Sequence, residues 1–90
     1  MTPDEHEFYA LLSDAREECG GAWRIDPIND VFIKLMKAKI FLGKGDIQNK
    51  KLYSRLIVEA SNTLYSPSYE TESRIEADII LCDILNEMRE

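Results

Sequence analysis

Few residues in this chain have the types and the spacing that catalysis requires. The single histidine, His6, lies close to the N-terminus, and neither Cys19 nor Cys82 stands at a spacing from it that is typical of a zinc site. No Cys-His or Ser-His pairing is visible either. Cys19 falls at the C-terminal end of a predicted helix, where the helix dipole raises the pKa of a thiol and makes it a poorer nucleophile. The sequence therefore predicts a protein that is not an enzyme, with no catalytic residue, no metal site and no cofactor.

Carboxylates offer one alternative to this prediction. The segment 72–85, ESRIEADIILCDIL, resembles the second motif of the all-α nucleoside-triphosphate pyrophosphatases of the MazG type, which hold magnesium with EExxE on one helix and ExxD on the next. The position three residues before Asp78 is Ile75 and not an acid, and predicted helix three offers only Glu59 in place of the first motif. The resemblance implies a magnesium-dependent nucleotide pyrophosphohydrolase that uses Glu59, Glu76 and Asp78, which is the third of our hypotheses.

Basic residues are concentrated in the middle of the chain. The net charge of the 90 residues is −6, and it divides into −6 over residues 1–30, +6 over residues 31–55 and −6 over residues 56–90. The second hypothesis is therefore a small-ligand module that binds an anionic nucleotide at the hairpin between helices two and three. Its candidate anion-binding residues are Lys39, Lys44, Lys51 and Arg55.

Lys39 is the most specific of these candidates. Helical spacing places it at the centre of the apolar face formed by Ile28, Leu35 and Leu42, where an unpaired charge is costly unless the side chain extends to solvent. The alternative is that the lysines only keep a helix surface soluble and are partly neutralised by acidic ridges on helices one and four. Exposed ion pairs of that kind contribute about 0–1 kcal/mol each.

Direct nucleic-acid binding is not expected from this charge balance. The total charge is negative, and no aromatic residues alternate with the lysines as they do in proteins that bind single strands. Acidic outer helices can instead dock onto a basic groove of an enzyme that handles nucleic acid, because complementary charge directs and accelerates association.

The periodicity of apolar residues predicts an all-α protein. Helices are predicted at about 3–19, 27–42, 47–65 and 67–89, with Thr2 and Asp46 as N-terminal caps of the first and third. No strand-like alternation extends beyond a few residues. The short connections favour an antiparallel up-down-up-down four-helix bundle, which we expect to form a single domain over residues 1–90.

Helix two is predicted to be the central helix of this bundle. One face carries Ile28, Val31, Phe32, Leu35, Ala38 and Leu42, and Ile33, Met36 and Ile40 extend the apolar surface beyond the width of an ordinary surface helix. A helix with so little polar surface is expected to have neighbours on several sides.

Helix four has two apolar faces that are nearly opposite each other. The main face carries Ala77, Ile80, Leu81, Ile84, Leu85 and Met88. The second face carries Ile75, Ile79 and Cys82, beside an acidic ridge of Glu72, Glu76, Asp83 and Glu87. Trp23, between helices one and two, either caps the core or anchors a partner.

These surplus faces are either covered within the bundle or form an interface with a partner. The first hypothesis is that the chain is a small acidic interaction protein that binds and blocks a partner macromolecule, as an inhibitor, immunity or anti-defence protein does. The expected partner is another protein, such as a nucleic-acid-handling enzyme, or a second copy of the chain in a homodimer.

The cysteines and the absence of apolar runs indicate the compartment. In an up-down-up-down bundle, Cys19 and Cys82 are about 20 Å apart along the helices, too far for a disulfide. Free thiols are typical of a reducing compartment. No apolar run approaches the length of a membrane span, and the acidic N-terminus lacks the features of a signal peptide. We therefore expect a cytoplasmic protein, in a bacterial or a host cytosol.

Overall fold

The computed structural model describes residues 1–19, 28–64 and 70–89, and within them the chain is helical and contains no strand. Helix α1 is Pro3–Cys19, α2 is Ile28–Lys44, α3 is Lys50–Leu64 and α4 is Glu70–Arg89. The predicted all-α class and the four-helix bundle are confirmed, and α1 has the bounds that the sequence predicted. No described helix has the length and hydropathy to cross a membrane.

Helix α1 begins with a reciprocal cap, as the sequence predicted for Thr2. The backbone N–H of Glu5 donates to Thr2 Oγ1 at 3.1 Å, and the Thr2 N–H donates to Glu5 Oε1 at 2.8 Å. The two bonds satisfy N–H groups that have no partner inside the helix. The hydrogen bond from the Thr2 backbone also lowers the pKa of Glu5 below its usual value.

The start of α3 differs from the prediction, and the cap predicted at Asp46 is wrong. The helix begins three residues later, at Lys50, after Asn49 with a φ of 62° in the left-handed region that Asn tolerates better than most residues. The backbone of Asp46 is used elsewhere, because its N–H donates to Asp4 Oδ2 at 2.6 Å and its carbonyl accepts from Thr2 Oγ1 at 2.9 Å. These contacts join the α2–α3 connection to the start of α1.

The four helices form a ring in which the backbone of each lies close to two neighbours. Helix α1 packs against α2 and α4, and α3 packs against the same two, so that α1 lies diagonal to α3 and α2 lies diagonal to α4. Contacts between α1 and α4 show that these two helices are antiparallel: Arg89 Nε near the end of α4 donates to Tyr9 Oη near the start of α1 at 2.6 Å. Across the diagonal, the rings of Phe8 and Tyr53 stack with their centroids 6.1 Å apart.

One apolar stripe from each helix fills the space inside the ring. These stripes follow the i, i+3, i+4 and i+7 spacing of an α-helix, which explains why the main faces predicted from the sequence are the buried ones. The buried stripes are Phe8, Leu12, Ala15 and Cys19 of α1, Val31, Leu35, Ala38 and Leu42 of α2, Tyr53, Ile57, Ala60 and Leu64 of α3, and Ala77, Leu81, Ile84, Leu85 and Met88 of α4.

The position of α2 corrects one expectation within this bundle. No helix lies at the centre of a four-membered ring, and the backbone of α2 runs close to α1 and α3 but not to α4. Its additional apolar residues lie on the side away from the core, where Ile33, Met36 and Ile40 are 53%, 59% and 60% exposed. Helix α2 is therefore an outer helix with one buried and one exposed apolar side.

Buried polar groups join the end of α1 to the start of α4. Arg74 is 2% exposed, and its Nη1 donates to the Glu18 carbonyl at 3.1 Å. The Cys19 Sγ donates to the Arg74 carbonyl, also at 3.1 Å. The last carbonyls of a helix have no partner within it, and a cation is favoured there by the helix dipole. Arg74 thus caps α1 from the neighbouring helix.

This cap leads to a stability prediction. Arg74→Met keeps most of the buried stem and removes the guanidinium donors, so we expect the free energy of unfolding to fall by about 2 kcal/mol, as for other hydrogen bonds of charged groups. Urea unfolding measures this change, and the free energy of unfolding should depend on urea concentration with the same slope in the variant and the wild type. The control is Arg89→Met, which removes an exposed hydrogen bond to Tyr9 from the same helix and is expected to cost under about 1 kcal/mol, because water can replace the lost partner. Equal losses in the two variants would contradict the capping role.

Candidate functional site: the outer faces of α2 and α4

The first candidate surface is the side of α4 that points away from the core, which we call the α4 outer face. Ile75 and Ile79 are 44% and 55% exposed, and Cys82 one turn further is half-buried. The acidic rim of this face is exposed and consists of Glu72, Glu76, Asp83 and Glu87. The structure thus places all seven α4 residues of the predicted partner site on one surface, and their role in binding stays a prediction.

The second candidate surface is the corresponding side of α2, the α2 outer face. Ile33, Met36 and Ile40 recur at the spacing of one helix side, and together with Phe32 and Lys37 they line a shallow depression of about 240 Å³. Val58 of α3, 38% exposed, extends the apolar surface across the cleft between the two helices. Apolar side chains are therefore exposed on both sides of this cleft.

The cleft between α2 and α3 widens into a basic groove of about 580 Å³, which we call the α2–α3 groove. Its cations are Lys39 of α2 and Lys50, Lys51 and Arg55 of α3, and the remaining lining residues are Leu42, Gly43, Ser54 and Val58. A narrower part of about 220 Å³ continues along the cleft and shares Lys39 and Val58 with the groove. The groove therefore combines aliphatic walls with four positive charges.

Three of the four predicted anion-binding residues meet in this groove. Lys39, Lys51 and Arg55 line it together, whereas Lys44 does not. Lys39 is exposed and lies at the edge of the core face of α2, not at its centre as the sequence suggested. A lysine at such an edge can cover apolar wall with its stem while its charge stays in water.

Lys50 is the groove residue that the sequence analysis missed. Its Nζ donates to the Gly43 carbonyl at the end of α2 at 3.3 Å, which brings it across the cleft. The available signal was its spacing, because Lys50 stands four residues before Ser54 and eight before Val58 on one side of α3.

The charges of the groove are not neutralised within the described part of the chain. None of its four cations forms an ion pair with a carboxylate there. The ion pairs that the structure shows lie elsewhere, between Arg16 and Asp78 at 3.0 Å and between Lys34 and Glu18 at 3.7 Å. The expectation that acidic ridges of α1 and α4 neutralise the basic residues thus applies to Lys34 but not to the groove.

The structure does not bring together the carboxylates of the magnesium hypothesis. Asp78 faces α1 and pairs with Arg16, whereas Glu59 and Glu76 are exposed on α3 and α4. Across residues 1–19, 28–64 and 70–89, no group of three or more His, Cys, Asp or Glu side chains could hold a metal ion. The proposed ligands therefore do not converge among the described residues.

Both cysteines are free, as the sequence predicted, but they differ in exposure. Cys19 is buried, and burial, assisted by the charge of Asp78, raises the pKa of its thiol to about 11. Cys82 is half-buried, and burial followed by the charge of Asp78 raises its pKa as well. Neither thiol has the lowered pKa of a nucleophilic cysteine. Trp23, the remaining partner-binding candidate, lies outside the described residues.

Comparison with known proteins gives no relative: no protein-family model, no curated protein and no solved structure matches this chain.

The difference between the cysteines gives a prediction for alkylation. In the folded protein at pH 8, iodoacetamide is expected to label Cys82 well before Cys19, because Cys19 is inaccessible and a pKa of about 11 instead of 9.0 leaves about 100-fold less thiolate. Mass spectrometry of the peptides over time measures both rates. The same labelling in concentrated urea is the control, and similar rates are expected there. Equal rates in the folded protein would show that Cys19 is not held in the core.

Proposed function

We propose that this chain is a small interaction protein that docks the α4 outer face onto a positively charged surface of a partner macromolecule and thereby blocks it. The observation that carries the proposal is the exposed pair Ile75 and Ile79 beside a rim of four exposed carboxylates. An interface of this kind needs an apolar centre and a polar rim, and this face has both.

The shape of the face favours recognition of a groove. From Ile75 to Asn86 the outer side of α4 extends over three turns, about 16 Å at the rise of an α-helix. Presentation of one helix side to a groove is a common mode of recognition, read through residues spaced by three, four and seven. Burial of a whole isoleucine side chain contributes about 1.5–3 kcal/mol. Ile75 and Ile79 can supply part of this on docking, because roughly half of each is already buried.

The carboxylates give this face its specificity. Glu72, Glu76, Asp83 and Glu87 are exposed and form no ion pair within the described residues, so they contribute little to folding. Opposite a basic surface they accelerate association and exclude acidic competitors. A basic surface is what a nucleic-acid-handling enzyme presents to its substrate, and occupation of it would inhibit without any catalytic step. An inhibitor, immunity or anti-defence protein would act in this way.

The experiment compares matched variants of the two outer faces. Tagged wild-type protein, Ile79→Asp and Ile40→Asp are used to capture proteins from the native host, and the captured proteins are quantified by mass spectrometry. Both variants place one carboxylate on an exposed apolar face, so their effect on solubility is matched. We expect Ile79→Asp to reduce capture of the specific partner about tenfold or more, and Ile40→Asp to retain it. Higher salt should weaken the wild-type complex. If Ile40→Asp lost the specific partner and Ile79→Asp kept it, the assignment of the binding surface to α4 would be contradicted.

A second candidate function is supported by the α2–α3 groove. Four cations that have no carboxylate partner among the described residues, gathered around about 580 Å³, have the charge and the size for a small anionic ligand such as a nucleotide. The aliphatic walls offer no aromatic ring for a base, so the phosphates would supply most of the affinity.

This candidate is tested by thermal unfolding with ATP and with inorganic triphosphate. A ligand at 100 times its dissociation constant stabilises the folded protein by about 2.7 kcal/mol. We expect stabilisation of the wild type that is lost in Lys51→Gln/Arg55→Gln. The control, Lys37→Gln/Lys44→Gln, removes the same charge from α2 outside the groove and should keep the effect. No shift with either ligand would leave only the partner-binding proposal.

A further inference from the structure

We infer that the α4 outer face of one copy of this chain docks into the α2–α3 groove of a second copy. This goes beyond the proposed function, because both surfaces belong to the chain itself and no foreign partner is needed. An occupant with an apolar centre and negative charges would complement the aliphatic walls and the cations of the groove, and the α4 outer face has both.

Charge complementarity is the first support for this assignment. The groove carries four cations, and the rim of the α4 outer face carries four carboxylates. Within residues 1–19, 28–64 and 70–89, neither set forms an ion pair, so both remain available to a second molecule. The groove cations are Lys39, Lys50, Lys51 and Arg55, and the rim carboxylates are Glu72, Glu76, Asp83 and Glu87.

Dimensions and chemistry are the second support. The cleft follows α2 from Phe32 to Gly43, and the outer side of α4 extends from Ile75 to Asn86. Each segment covers three helical turns, about 16 Å. The cleft exposes aliphatic side chains between its cations, and the α4 outer face exposes isoleucines beside its acids. Docking would therefore cover apolar surface on both molecules while opposite charges meet at the edges.

The positions of the helices determine the symmetry of this association. The groove opens between α2 and α3, whereas the α4 outer face lies at the corner of the ring diagonal to α2 and points away from the core. Two different surfaces that face different directions on one molecule meet in a head-to-tail contact, which continues into a ring or an open chain and does not close as a two-fold dimer. Head-to-tail assembly is thus an alternative to the homodimer that the sequence predicted.

The test measures molar mass by light scattering over a wide range of protein concentration. The wild-type mass should rise with concentration beyond that of a dimer and should fall with added salt. Lys51→Glu/Arg55→Glu reverses charges in the groove, and Ile79→Asp places a carboxylate on the α4 outer face. Each variant alone is expected to associate at least about tenfold more weakly than the wild type. The control, Lys37→Glu/Lys44→Glu, has the same net charge as the groove variant and should associate as the wild type does.

Mixing the two variants gives the decisive result. Ile79→Asp retains an intact groove, and Lys51→Glu/Arg55→Glu retains an intact α4 outer face, so the mixture has one productive contact. We expect a one-to-one heterodimer that grows no further, because the remaining groove has lost its net positive charge and the remaining α4 outer face has a carboxylate in its apolar centre. A monomeric mixture would overturn the inference. So would a wild type that stays monomeric at every concentration, or one whose mass stops at a dimer.

A further arm tests an anionic membrane as the occupant of the groove. Flotation with phosphatidylserine vesicles is expected to leave the chain unbound. Binding of monomeric wild type that is lost in Lys51→Glu/Arg55→Glu would overturn the inference. Failure here is distinguishable from failure of the proposed function, because the groove variant keeps its α4 outer face and should still capture a foreign partner.

Discussion

Each helix of this bundle can direct only one side to the shared core, and this constraint determines which surfaces remain for recognition. Helices α1 and α3 satisfy it with one buried stripe each. Helices α2 and α4 carry apolar residues on two sides, and their diagonal placement means that neither can cover the other's second side. Ile33, Met36 and Ile40 on α2 and Ile75 and Ile79 on α4 are exposed for this reason. The surplus apolar surface is a consequence of chain topology and not of a poorly packed core.

The same topology separates charge. The basic segment of the sequence forms α2 and the start of α3, and the two acidic segments form α1 and α4, which are neighbours in the ring. Ion pairs form at the contacts of α1 with its neighbours, through Lys34 and Glu18 and through Arg16 and Asp78, while the groove cations and the α4 rim stay unpaired within the described residues. Exposed charges of this kind contribute little to stability. Their effect is on which surfaces approach each other, and how fast.

Helical periodicity predicted the local structure well and the relations between helices less well. It identified the bounds of α1, the buried stripes and the acidic outer side of α4, because each depends only on residue spacing along one helix. The start of α3 could not be predicted this way, since it depends on hydrogen bonds from Asp46 to the beginning of α1. The prediction of the groove residues was incomplete for a similar reason. Lys50 lines the groove and Lys44 does not, because the lining depends on how α3 lies against α2. The prediction that α2 is central was wrong because four helices in a ring enclose a core of side chains and not a fifth helix.

The two proposals place self-association and partner binding in competition for one surface. An open head-to-tail chain covers every α4 outer face except the one at its end, and a closed ring covers them all, so the fraction of free faces falls as the protein concentration rises. The apparent affinity for a foreign partner would then be reduced by that fraction. Conversely, a partner that covers the α4 outer face would cap a growing assembly and shorten it. By linkage the two effects have the same coupling free energy. A foreign partner would therefore bind the α4 outer face effectively only when its affinity for that face exceeds the affinity of the groove of a neighbouring copy.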